Sequence, residues 1–153
     1  MNLTVTPEPF DSADARRLVA ALDAHLSSLY TPDHRFGPNL KPEHVAAGVG
    51  VFLVARQGGR AVGCGALRRL DEDTAEVKRM YVEPAARGQG VGAAVLDHLE
   101  AAARGLGVHR LVLETGVHQV LAIGLYRRAG FAPVHCWGEY AGAPTSVCYE
   151  KEI

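Results

Sequence analysis

The sequence predicts an α/β chain: a mixed, mostly antiparallel sheet with helices on its faces. Three observations predict it. Across residues 51–82, apolar runs are separated by turn residues at 57–60 and 71–73, the pattern of an antiparallel meander. After Val82 the apolar period becomes helical, and a helix, a short apolar strand and a second helix follow. Two further apolar runs, 134–137 and 146–151, form a closing hairpin around Gly142 and Pro144.

The elements follow in order. Residues 3–6 alternate as a short strand. Asp11 or Ser12 caps a helix that runs to about Tyr30, with Leu18, Leu22, Leu26 and Leu29 on its apolar face. Pro32, Gly37 and Pro38 mark residues 31–41 as a loop, and a short helix follows Pro42. Residues 51–55 and 61–70 pair about the turn Gln57-Gly58-Gly59-Arg60. Residues 76–82 form the next strand. A helix from Val91 buries Val91, Val95, Leu99, Ala102 and Leu106, and Gly105 and Gly107 end it. Leu111-Val112-Leu113 is a strand, parallel to 76–82 if the crossover is right-handed. A last helix runs from about His118 to Ala129 and stops at Gly130.

The 153 residues suit one domain, 1–153, with one core. A net charge of −1, from 16 basic and 17 acidic residues, excludes the basic surface of a general nucleic-acid binder. No apolar run reaches the length of a membrane span, and the N-terminus lacks a basic, apolar leader, so a cytoplasmic protein is expected. Cys64, Cys136 and Cys148 are an odd set without a CxxC pair, and reduced, buried thiols are expected. The 7 histidines are dispersed, with no HExxH or paired ligand spacing, and no metal site is expected.

The chemistry concentrates in Arg87-Gly88-Gln89-Gly90-Val91-Gly92, between a strand and a helix. Glycines let the backbone approach a ligand, and the first helical turn presents unpaired N–H groups with a partial positive charge. Such an end binds phosphate or pyrophosphate. Lys78, Arg79 and Arg87 lie around it, a cluster that suits a phosphorylated ligand. Gly88-x-Gly90-x-x-Ala93, with Glu114 ending the next strand, also fits a dinucleotide fingerprint. Against that reading, residues 83–87 intervene between strand and first glycine, a meander precedes, and too few βα units follow.

Residues 80–92 closely resemble the acetyl-CoA signature of the GNAT superfamily of N-acetyltransferases: a strand, a proline-containing loop, then Arg87, Gly90 and Gly92 in the fixed places. Leu125-Tyr126-Arg127-Arg128-Ala129-Gly130-Phe131 resembles the family's later Leu-Tyr-x-x-x-Gly-Phe segment. The resemblance covers about 51–131. Gln119 stands where the family often has Asn.

This resemblance implies a GNAT-like sheet whose two parallel strands splay apart around the pantetheine of acetyl-CoA. The backbone of Met80, Tyr81 and Val82 would pair with the pantetheine. The N–H groups from Gly88 through Gln89, Gly90, Val91 and Gly92 to Ala93 would hold the pyrophosphate, beside Arg87, with Gln119 as a further contact. The expected activity is acetyl transfer to a primary amine, with a non-catalytic acyl-CoA-binding regulatory module as the alternative. Tyr126 is the candidate general acid and cofactor contact. Glu114 is the first candidate base. Glu76 is the second, or else an exposed strand charge paired with Lys78 or Arg79; His118 is a third. The acceptor site would be lined by Tyr30, His34, Arg35, Phe36, Trp137, Glu139 and Tyr140. An acidic Glu139 beside two aromatic rings suits a cationic amine, and the loop with His34 and Arg35 equally suits a carboxylate. The last strands offer a surface for a homodimer.

Overall fold

The computed structural model describes residues 2–31 and 39–153. The chain folds as β1 (Leu3–Pro7), α1 (Ala13–Leu29), β2 (Gly50–Gln57), β3 (Arg60–Arg69), β4 (Thr74–Val82), α2 (Val91–Gly105), β5 (Arg110–Gly116), α3 (Val120–Arg128), β6 (Ala132–Val134) and β7 (Ser146–Glu152). Short 3-10 turns occupy Pro42–Val45, Pro84–Ala86 and Gly138–Tyr140. The strands make one 7-stranded sheet in the order β1-β2-β3-β4-β5-β7-β6. Every neighbouring pair is antiparallel except β4 and β5. The expected loop at 31–41 lies largely outside the described residues; the other expected elements are present, with the first strand of the closing hairpin at Ala132–Val134 rather than 134–137, and strand β7 lies between β5 and β6. Among the described residues no helix is long and apolar enough to cross a membrane.

The helices divide the core between the two sheet faces. Against one face, Val91, Val95, Leu96, Leu99 and Ala103 of α2 pack on Leu53, Val62, Leu67 and Val77. Against the other, Ala15 and Leu18 of α1 pack on Phe52, Val54, Cys64 and Ala66. The α2 stripe turns one residue from the expected one: Leu96 and Ala103 are buried, while Ala102 and Leu106 are only partly so. In α1, Ser12 is the N-cap, its Oγ accepting from the Ala15 N–H at 3.1 Å. Of its expected apolar face, Leu18 and Leu22 are buried, and Leu29 is exposed.

Two backbone features set the geometry of the split. At Gly65 a Cβ would meet Met80 Sδ and Val95 Cγ1, both at 2.6 Å, so the missing side chain lets α2 settle onto β3. In β4 the four residues from Lys78 to Tyr81 span the three from Cys64 to Ala66. This bulge is centred near Arg79, whose φ is 56°. The extra residue resets the alternation. Glu76 and Lys78 stand on the α1 side with Tyr140, whereas Met80 and Val82 pack into the α2 core.

The cysteines correct the sequence reading. Cys136 and Cys148 form a disulfide, with their Cα atoms 5.2 Å apart, and only Cys64 is free. The register explains it: Cys148 pairs with Val134, and Cys136 follows two residues beyond on the same edge. Buried Cys64 has its thiol pushed up to about 12 by desolvation, which keeps it protonated and inert. Leu99 is fully buried in the main core, so Leu99→Ala should lower unfolding stability by about 3 kcal/mol in a urea titration. Leu121→Ala, at a side chain 72% exposed, should stay within about 0.5 kcal/mol.

Candidate functional site

The site is made where β4 and β5 stop pairing. Their ladder holds Thr74↔Arg110, Ala75↔Leu111 and Glu76↔Val112, with no pair beyond. Each strand keeps its outer neighbour: β4 follows β3 to Val82↔Gly63, and β5 follows β7 to Gly116↔Ser146. The inner edge of β4 after Glu76 therefore carries backbone groups that no β5 residue satisfies, supplied by alternate residues through 80–82. A strand edge of this kind takes an extended ligand as a further strand.

The chain leaves that edge directly into the glycine turn. Gly88 has φ 77° and Gly90, the residue preceding α2, φ 83°. A Cβ at either would meet nothing within 4 Å, so these glycines are required by backbone conformation, and the space around them is open. Gly92 differs: a Cβ there would meet Leu125 Cδ2 at 2.9 Å. Its role is to admit the Leu125 side chain of α3, so the two sequence motifs touch. The turn at 88–93 is thus an open cradle of N–H groups at a helix start, which fits a diphosphate.

The three cations that the sequence placed around the glycine segment part company. Arg87 Nε donates to the Val82 carbonyl at 3.0 Å, pinning the loop to the end of β4. Arg79 pairs with Asp23 of α1 at 2.8 Å, and Lys78 turns to Glu76. Gln89 donates to Ala85 O at 3.3 Å and accepts from Gln57 at 3.0 Å. Gln119 Oε1 accepts from the Gly116 N–H at 2.8 Å, closing the end of β5 and leaving its amide N–H groups directed elsewhere.

The candidate acids and bases gather around the split. Glu76 is not the exposed strand charge the sequence allowed: it is 3% exposed, and its Oε2 accepts from the Tyr140 hydroxyl at 2.9 Å. Lys78 Nζ lies 3.6 Å from the same oxygen and donates to Tyr140 Oη at 3.1 Å. Burial lowers the Lys78 pKa against the pull of Glu76. Tyr140 is pushed far up by burial, then by the charge and hydrogen bond of Glu76. Glu114 accepts from Ser146 Oγ at 2.6 Å, and desolvation raises its pKa more than Ser146 and Lys78 lower it. Tyr126 is buried beside Phe131, and burial, reinforced by the Glu114 charge, keeps its hydroxyl protonated.

The acceptor residues fall in two places. Tyr30 Oη accepts from the His118 N–H at 2.9 Å and lies over Gly116, where a Cβ would meet that oxygen at 1.7 Å. His118 lies beside the Tyr30 ring, with centroids 5.3 Å apart. Trp137 packs edge-on against Tyr140, and both line a pocket of ≈ 220 Å³ with Arg68, Leu70, Glu76, Gly138 and Glu139. His34, Arg35 and Phe36 lie outside the described residues. Sequence reasoning gave Ser146 no place in this cluster, and named Lys78 only as a cation near the glycine segment or a surface partner of Glu76. Lys78 was within reach, since it stands two residues from Glu76 on a strand of period two.

The topology overturns the dinucleotide alternative. With a single parallel strand pair, the described sheet lacks the second nucleotide-binding half that a doubly wound fold provides. Removing the hydroxyl that Glu76 and Lys78 share, by Tyr140→Phe, should cost about 1–3 kcal/mol of unfolding stability in chemical denaturation.

Comparison with known proteins agrees with this architecture. Residues 18–131 match the sequence profile of the Acetyltransferase (GNAT) family. An Azospirillum brasilense protein called IAA acetyltransferase is 39% identical over 155 residues, spanning 99% of each chain. A Klebsiella pneumoniae crystal structure, of a protein named as a candidate acyl-CoA N-acyltransferase, superposes with a TM-score of 0.83 at 38% identity. That match covers 98% of this chain and 97% of that one. A GNAT family acetyltransferase from Elizabethkingia anophelis, crystallised with acetyl-CoA bound, shares the fold at a TM-score of 0.67 and 19% identity over 99% of each chain.

Proposed function

The chain belongs to the acetyltransferase (GNAT) family, and from that premise we propose that it transfers an acetyl group from acetyl-CoA to a primary amine of a small molecule or peptide by direct attack. The observation that carries this reading is the parting of β4 and β5 immediately before the glycine turn. A pantetheine arm needs backbone partners along an extended edge, and a pyrophosphate needs converging N–H groups. Residues 80–82 and 88–93 offer the two in sequence, and Gln119 lies at the facing strand end.

When bound, acetyl-CoA supplies an activated thioester carbonyl. The chain's own groups then have distinct duties. Backbone N–H groups on the β4 edge orient and polarise that carbonyl. Tyr126, held in its protonated form by burial and by Glu114, gives its hydroxyl proton to the departing thiolate. Glu114 takes the proton that the amine must lose; desolvation makes its carboxylate a better proton acceptor than an exposed one. Glu76 is the second candidate, because its Oε2 is already engaged by Tyr140 and Lys78. A homodimer through the last strands would have to use side-chain faces, since the β6 edge is three residues long with Pro133 at its centre.

Acetyl-CoA should raise the melting temperature and NAD should not; a shift with NAD alone would sink the proposal. Tyr126→Phe should lower kcat by roughly 10²–10⁴-fold with acetyl-CoA affinity little changed, as read by titration and steady-state thiol release. A base must be unprotonated to act, so the rate should fall as pH drops through the Glu114 pKa. That pKa lies above the ordinary carboxylate value. In a pH–rate profile, Glu114→Gln should be slower and lose this acidic limb, while Glu76→Gln should retain it.

A further inference from the structure

The sheet face that carries Glu76 and Glu114 also carries a cation without a counter-ion. Arg68, one residue before the end of β3, lies directly across from Glu76 in the β3–β4 register. Opposite charges so placed normally pair, but here the Glu76 carboxylate is occupied by Tyr140 and Lys78. Arg17, Arg56, Arg60, Arg79, Arg104 and Arg110 each have a carboxylate partner. Arg69 and Arg87 donate to backbone carbonyls instead, and Arg16, Arg127 and Arg128 are exposed; among the described residues, Arg68 is the half-buried arginine with neither kind of partner. It is half-buried and lines the ≈ 220 Å³ pocket floored by Glu76 and walled by Leu70, Trp137 and Tyr140.

A guanidinium cannot shed its charge, and its planar fork matches a carboxylate bidentately. Half-buried and unpaired, it is a standing demand for an anion. Glu76 and Glu139 line the same pocket and repel a dianion such as phosphate. A compound with one carboxylate and one amine finds partners for both ends. The pocket is smaller than the range typical of drug-sized ligands, so it favours a small acceptor, and Trp137 and Leu70 offer an apolar wall. The pocket also adjoins the buried polar cluster on this face: Glu76 and Tyr140 line it and share a hydrogen bond, and Lys78 donates to Tyr140.

We propose that Arg68 anchors a carboxylate on the acceptor, and that the preferred acceptors are therefore amines of the amino-acid class. This assignment rests on the acetyl-transfer reading of the same site. It makes Arg68 a specificity-determining residue: it holds the far end of the acceptor so that the amine faces Glu114 and the split between β4 and β5.

The test measures thiol release from acetyl-CoA with the protein amino acids, each against its own primary amide, in the wild type and in Arg68→Met and Arg68→Lys. The wild type should favour at least one acid over its amide by about 100-fold or more in kcat/KM. Arg68→Met should bring that ratio to near one, chiefly through KM, and Arg68→Lys should restore part of it. The rise in melting temperature with acetyl-CoA should persist in both variants, which shows that the fold and donor site survive. Amides accepted as well as acids, or a ratio unmoved in Arg68→Met, would overturn the carboxylate anchor while leaving acetyl transfer standing. Absence of thiol release from every amine, with an amino acid still raising the melting temperature of the wild type but not of Arg68→Met, would sink the transfer reading and keep the anchor. Neither release nor shift would remove both.

Discussion

The structure depends on a ladder that ends early. Strands β4 and β5 share three register pairs and then separate, while each stays bound to its outer neighbour. Backbone N–H and C=O groups are costly to leave unpaired away from water, so a sheet normally zips to its ends. Here the β4 bulge with Arg79 at positive φ and the anchoring of Arg79 on Asp23 draw one strand toward α1. On the other side, Tyr30 over Gly116 and Gln119 on the Gly116 N–H fix the end of β5. The opening is thus held from both sides by contacts outside the missing ladder.

Everything chemical is arranged about that opening. The glycine turn continues from the β4 edge, and Gly92 admits Leu125, which seats α3 and brings Tyr126 to the split. On the α1 side, Glu76, Lys78 and Tyr140 share one buried hydrogen-bonded cluster, with Glu114 on the neighbouring strand. A half-satisfied cluster of this kind would be worse than an apolar one, and each of its members has a partner. The segment that supplies Tyr140 begins at Cys136, whose disulfide to Cys148 ties it to the strand opposite Glu114. The segment with Trp137 and Tyr140 and the strand position of Glu114 are therefore braced on the same strand, β7.

Much of this was legible along the chain. The meander, the change to helical period after Val82, the glycine turn and the Leu125-Tyr126 segment are local patterns, each set by residues a few positions apart. Tyr126, Glu114, Glu76, Trp137 and Tyr140 could be nominated because motif and element order place them near one strand end. The cysteine pair could not, because a separation of 12 residues becomes adjacency only through the β6–β7 register. The exposure of Glu76 was equally hidden, since its burial comes from Tyr140, 64 positions away.

What the sequence by itself determined is the local frame of the proposed donor end: which residues turn, which bare the backbone, and which helix start opens on a glycine turn. Those properties follow from local conformation, where a glycine or a proline acts on its immediate neighbours. Only the tertiary structure decided how the charges pair. Lys78, Arg79 and Arg87 are near neighbours in the chain, yet they end on Glu76, Asp23 and the Val82 carbonyl. Arg68, across the sheet from Glu76, is left with none. Charge partners are chosen by strand register and by which groups the packed elements bring together. Register is a property of the assembled sheet.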